Sequence, residues 1–132
     1  MALKLSRELM ENSLSKYLQE GETIDVLVYA QKMNYFMTLL HKYYFLAITN
    51  KRLLIMRVTA FYNEKEFKAV NLEDIKGFKT SKSINGKTVT IEGKNGRIFK
   101  GTVPSVILGF SEQKESAFTF MNKLQGLNIY AV

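Results

Sequence analysis

The stretch "INGKTVTIEGKNGRIFKG", residues 84–101, decides the fold. Gly86-Lys87-Thr88 looks like the end of a phosphate-cradling loop, which would make the chain a nucleotide enzyme. Such a loop needs a glycine at position 81, and Ser81 stands there. It also needs a helix beginning at the Lys-Thr pair, so that helix N–H groups face the phosphate. Lys87 leads instead into "TVTIE" (88–92), which alternates polar and apolar residues as a half-buried strand does. Asn85-Gly86 and Asn95-Gly96 are hairpin dipeptides, and "RIFKGTV" (97–103) is the returning strand. The stretch reads as strands joined by two tight turns.

The same patterning extends upstream. "TIDVLVYAQ" (23–31), "YYFLAIT" (43–49), "RLLIMRV" (52–58) and "EFKAVNL" (66–72) are rich in β-branched and aromatic residues. Asn50-Lys51 links the second and third runs, with Asn where a positive φ is tolerated. "LEDI" (72–75) turns into "KGFKTSKS" (76–83), and Glu73 and Asp74 are the residues to cap that turn. Helical spacing appears at the two ends. Leu9, Met10, Leu14, Tyr17 and Leu18 predict an amphipathic helix over 6–20, capped by Ser6 and stopped by Gly21. Ala117, Phe118, Met121, Leu124 and Gln125 predict a second over 112–125, capped by Ser111 and stopped by Gly126. The order is helix, about seven strands with short turns, helix. Successive strands without intervening helices make a mainly antiparallel sheet, bent into a small barrel that the last helix covers.

The chain has 132 residues, the size of one domain, and no cysteine, so disulfides and thiolate metal sites are excluded. Glu8 and Glu11 interrupt the N-terminus where a secretory segment would be apolar, and no uncharged apolar run is long enough to span a bilayer. The net charge is +7. Between Val26 and Asn63 there are five basic residues and no acidic one; between Lys76 and Lys100 there are seven basic residues against Glu92. That field suits an anionic partner.

Three segments together, "YYFLAITNKRLLIMRV" (43–58), "AVNLEDIKGFKT" (69–80) and "VTIEGKNGRIFKG" (89–101), resemble the bacterial pleckstrin-homology-like domains of the YokE-like and GRAM-related group. The closing helix "ESAFTFMNKLQ" (115–125) fits the same pattern. The resemblance implies a seven-stranded bent barrel with a C-terminal helix, acting as a binding module without catalysis. On that basis 1–22 is an added N-terminal helix, 23–126 the domain and 127–132 a tail. Lipid-binding members place basic residues on the first two strands; Lys32 and Lys42 match those positions, while the arginine that should follow the second is replaced by Tyr43 and Tyr44.

Catalytic chemistry has little to stand on. His41 is the sole histidine, with no ligand cluster beside it, and Glu73-Asp74 is the one close acidic pair. No catalytic residue, metal or cofactor is expected. Two binding readings lead. In the first, "NYFMTLL" (34–40) offers Tyr35, Phe36, Met37, Leu39 and Leu40 in a connection that should be polar, which favours a protein partner or a second copy of the chain. In the second, Lys32, Lys42, Lys79, Lys82 and Lys87 meet anionic lipid headgroups. Nucleic acid stands third, since half of the candidate stacking rings should point into the barrel. The expected location is the cytoplasm, peripheral to the inner face of its membrane under the lipid reading.

Overall fold

A computed structural model describes residues 5–32, 41–83, 86–127 and 130–131. In chain order these form α1 (Arg7–Ser15), β1 (Ile24–Lys32), β2 (Lys42–Thr49), β3 (Arg52–Val58), β4 (Glu64–Asn71), a 3-10 turn (Leu72–Asp74), β5 (Ile75–Ser83), β6 (Gly86–Gly93), β7 (Gly96–Pro104), α2 (Gln113–Gln125) and the short β8 (Tyr130–Ala131). The strands make one sheet in the order β4-β3-β2-β1-β7-β6-β5-β8. The first seven pair antiparallel, and β8 adds in parallel to the outer edge of β5. β4 and β8 are the two edges of that order, so among the described residues the sheet does not close on itself.

β5 pairs with β6 and β6 with β7, as the opening stretch predicts, while Ile84 and Asn85 of the first turn lie outside the described residues. Gly96 takes φ 123°, a backbone state open to glycine, at the β6–β7 turn. A Cβ on Gly86 would sit 2.1 Å from the Val103 carbonyl oxygen, so this glycine lets β6 lie against β7. Asn50 is a correction. Tyr62 is the one non-glycine residue at positive φ among those described. The Asn50 side chain instead accepts from the Thr23 N–H (2.9 Å) and donates to the Gly21 carbonyl (3.0 Å).

β1, β2 and β3 carry unbroken apolar runs because both of their faces are covered. Toward the concave side, Val26, Val28, Ala30, Leu46, Ile48, Leu53 and Ile55 pack with Val89, Ile91, Phe99 and α2 residues Ala117, Phe120, Met121 and Leu124. On the opposite side, Leu27, Tyr29, Phe45, Ala47, Leu54 and Met56 pack under Met10 and Leu14 of α1 and under Phe110. Met10 and Leu14 are fully buried, each worth about 1.5–3 kcal/mol of transfer free energy.

Both helices differ from the sequence expectation at their edges. α1 begins as expected, with Ser6 accepting from the Leu9 N–H, but it ends at Ser15, well before Gly21. Ser13 and Ser15 turn back to bond the Leu9 and Glu11 carbonyls. Beyond them Tyr17 stacks on Phe67 at 3.9 Å and gives its carbonyl to Arg52 (2.8 Å). α2 is capped at Glu112, without a side-chain bond, and Ser111 does not serve. Its buried stripe runs through Gln113, Ala117, Phe120, Met121 and Leu124; Phe118 lies off the stripe and is 67% exposed.

Two polar groups hold this frame. Glu22 is buried beneath Arg52, which donates to both of its oxygens at 2.8 and 2.9 Å, while the Thr49 hydroxyl donates to it at 2.6 Å. Thr49, Asn50 and Arg52 of "TNKR" therefore fasten segment 17–23 to the β2–β3 turn. The second group is Gln113. Among the described residues, β1 and β7 share one paired position, Gln31 with Thr102. Where β7 ends, the Gln113 amide accepts from the Tyr29 N–H (3.0 Å) and donates to the Tyr29 (2.8 Å) and Pro104 (3.0 Å) carbonyls, standing in for a missing strand residue.

Candidate functional site: a basic cleft at the end of the concave face

Successive side chains on a strand point to opposite faces. In register, Lys32 of β1 stands opposite Lys42 of β2, Tyr44 opposite Arg57 of β3, Arg57 opposite Glu66 of β4, and Ile55 opposite Lys68. All of these lie on the concave side; Tyr44 and Ile55 belong to its last buried layer, and the charged residues stand beyond it. They surround a cleft of about 200 Å³, with Ile98 and Phe99 of β7 completing the wall.

Four cations from four strands meet here, with Glu66 the one carboxylate in the lining. Tyr44 and Phe99 form the floor as an edge-to-face pair with centroids 5.1 Å apart. The Lys32 ammonium lies 5.5 Å from one ring centroid and 5.6 Å from the other, within cation–π range. Lys68 reaches across the gap between β4 and β7 to donate to the Ile98 carbonyl at 3.3 Å. Burial against the rings lowers the Lys32 pKa, and the charges of Lys42, Lys68 and Arg97 lower it further. An anion in the cleft would relieve that crowding. The open gap continues as a shallow groove of about 490 Å³ between Lys68–Val70 and the β6–β7 turn, where Lys94 pairs with Asp74 at 3.2 Å. Asp74 makes that surface ion pair, and the turn at Leu72–Asp74 has no side-chain hydrogen-bond cap.

Of the five lysines singled out in the sequence, the structure places two in the cleft. Lys32 and Lys42 share the cleft. Lys82 and Lys87 face each other near the far tip of the β5–β6 hairpin, and Lys79 stands opposite Thr90 on the outer side; all three are exposed. Arg57 and Lys68 were missed, although each keeps strand parity with a concave-facing neighbour, Ile55 and Val70. Tyr35, Phe36, Met37, Leu39 and Leu40 lie outside the described residues. Among the described residues, no three His, Asp or Glu side chains gather as a metal ion would require, and no helix is long and apolar enough to cross a membrane.

Solved structures share the architecture. The hSac2 domain from the human phosphoinositide phosphatase Sac2 superposes with a TM-score of 0.60 at 11% identity, covering 98% of this chain and 90% of that one. The C-terminal domain of an unknown protein from Leishmania infantum does so with a TM-score of 0.54 at 14% identity, covering 89% of this chain and 96% of that one. None of the curated proteins matches the sequence. The family model of the bacterial PH domain matches residues 18–105, from the segment that Arg52 fastens to the end of β7. With a match over more than half its length, and with a sheet of seven antiparallel strands and a short parallel eighth covered by a helix, this chain belongs to the bacterial PH domain family.

Proposed function

We propose that this chain is a non-catalytic binding module that takes a phosphoryl-bearing anion in the cleft of Lys32, Lys42, Arg57 and Lys68. One observation carries the reading: four cations from separate strands converge on one small cavity that holds a single carboxylate. A charge set of that kind is costly without a counter-charge, since like charges opposite one another on paired strands repel. Lys32 and Lys42 stand in that relation. Arg57 supplies the planar fork suited to a phosphate, and the lysines supply point charges. Self-assembly or protein binding through Tyr35, Phe36, Met37, Leu39 and Leu40 rests on residues outside those described, so it gives way to the cleft.

The test is titration with inorganic pyrophosphate, read by calorimetry. The double variant Arg57→Ala/Lys68→Ala should lose at least about ten-fold in affinity, from two charge-assisted contacts. The double variant Lys82→Ala/Lys87→Ala should bind as the parent does. Equal binding by the cleft variant would remove the cleft from the account, and loss in the hairpin variant would move the site there.

A further inference from the structure

We propose that a second pocket, at the other end of β1 and β2 from the basic cleft, binds a free apolar α-amino acid. The ligand's side chain fills the pocket, and its ammonium and carboxylate groups meet Asp25 and Lys123 at the mouth. This site is separate from the anion-binding cleft and does not depend on it.

The pocket begins with an irregularity in β1. Ile24 pairs with Thr49 and Val26 with Ile48, so two steps along β1 match one along β2, and Asp25 is the extra residue of a β-bulge. On a regular strand Ile24 and Val26 would share a face and Asp25 would take the other. Here Ile24 packs against the outer cluster, while Val26 belongs to the concave one. The bulge thus turns Asp25 to the concave side, where it borders a cavity of about 170 Å³. Bulges often re-aim a side chain beside a functional site.

What Asp25 is aimed at is apolar. Ile48 of β2, Leu72 of the 3-10 turn, and Leu124 and Leu127 at the end of α2 form the wall. Thr49 and Asn50 also border the cavity. Their polar groups are committed elsewhere, the Thr49 hydroxyl to Glu22 and the Asn50 side chain to Thr23 and Gly21. A cavity of about 150 Å³ lined by aliphatic side chains holds a benzene ring, so this one has room for a phenyl or branched aliphatic group. Lys123 stands opposite Asp25, with Nζ 3.7 Å from Oδ2, and both side chains are partly solvated. The other ion pairs among the described residues close to 2.6–3.2 Å. A loose, half-exposed pair is worth little and separates at little cost. Two opposite charges flanking an apolar hole match a zwitterion with an apolar side chain: the ammonium donates to Asp25, and Lys123 donates to the carboxylate. A fatty acid or an amine would use one of the two charges.

The test is an NMR titration of the isotopically labelled chain with L-phenylalanine. Binding should be weak, with a Kd of about 1 mM for so small a ligand. Amide shifts should move around Asp25, Ile48–Asn50, Leu72 and Lys123–Leu127. N-acetyl-L-phenylalanine lacks the ammonium and L-phenylalaninamide lacks the carboxylate; each should bind about ten-fold more weakly, from one lost charge-assisted contact. Glycine, with both charges and no side chain, should not bind measurably. Asp25→Asn should weaken L-phenylalanine and its amide about ten-fold and leave the N-acetyl compound unchanged. A bulge that serves packing alone would give the same loss for all three compounds, or none, and that result overturns the proposal. Shifts elsewhere in the chain, or none at concentrations well above the expected Kd, overturn it too. Pyrophosphate binding by the Asp25→Asn protein should equal that of the parent, so failure here is distinguishable from failure of the cleft.

Discussion

β1–β3 and β5–β7 are both three-stranded antiparallel meanders, yet they treat charge in opposite ways. The first is covered on both faces, by α2 and by α1, and the middles of its strands are apolar, with the charged residues toward the strand ends. The second is covered on the concave face alone. Val89, Ile91, Phe99 and Val103 point in, while Lys79, Ser81, Thr88, Thr90 and Lys100 point toward solvent. On a half-covered sheet a lysine can stand anywhere on the free face, solvated and cheap. On a doubly covered sheet a charge has two places to go. It can be buried with a partner, as Arg52 is with Glu22, or it can wait at the strand end where the cover stops. Lys32, Lys42 and Arg57 are in the second position, so the cleft is a product of the double covering.

The largest effect should come from the buried pair. Removing Arg52 leaves the Glu22 carboxylate, 6% exposed, without its counter-charge. Arg52→Leu should cost about 3–5 kcal/mol in urea unfolding. The hydrogen bonds from Arg52 hold the Glu22 carboxyl at about 2, against an ordinary value of 4.5. Glu22 thus binds its proton more weakly folded than unfolded. Its contribution is complete above pH 4.5 and drains away as pH falls toward 2, about 3 kcal/mol in all. Glu22→Gln should flatten the stability profile across that window. A profile as steep as the parent's would mean that other carboxylates govern acid unfolding.

Next in size is the helix that provides the second cover. Leu14→Ala should cost about 3 kcal/mol, because Leu14 is fully enclosed between α1 and the sheet. Thr90→Ala, on the uncovered face of β6, should stay within about 0.5 kcal/mol. Chemical denaturation of the two variants measures the difference. A Leu14→Ala effect as small as that of Thr90→Ala would show that α1 unfolds on its own and that the first meander survives with one face bare.

Much of the frame is legible in the sequence because it depends on neighbours. The strands fall within about two residues of the runs that predict them, and Ser6 caps α1 as expected. What depends on partners distant in the chain is not legible. The unbroken runs "VLVYA" and "LLIM" read as strands, but their lack of alternation also announces two covered faces. The end of α1 falls earlier than its pattern predicts because Tyr17 is drawn away by Phe67 and Arg52, fifty and thirty-five residues downstream. Of the cleft, Lys32 and Lys42 can be found, since they flank a single connection. Arg57 and Lys68 need the register of β2, β3 and β4, which no local pattern supplies.

The smallest effect separates two ion pairs of similar geometry. Lys94 lies 3.2 Å from Asp74 at the β6–β7 turn, nearly as close as Arg52 lies to Glu22, but both of its partners are largely solvated. Water already stabilises each charge there, and salt screens what attraction remains. Lys94→Ala should therefore change stability by less than about 0.5 kcal/mol, and added salt should erase even that. The same salt should leave the cost of Arg52→Leu nearly intact, because buried charges are screened far less. Urea unfolding of both variants at low and high ionic strength decides it. A salt-resistant loss at Lys94 would mean that the β6–β7 turn is enclosed in solution, and the half-covered meander would then be less open than its exposed lysines indicate.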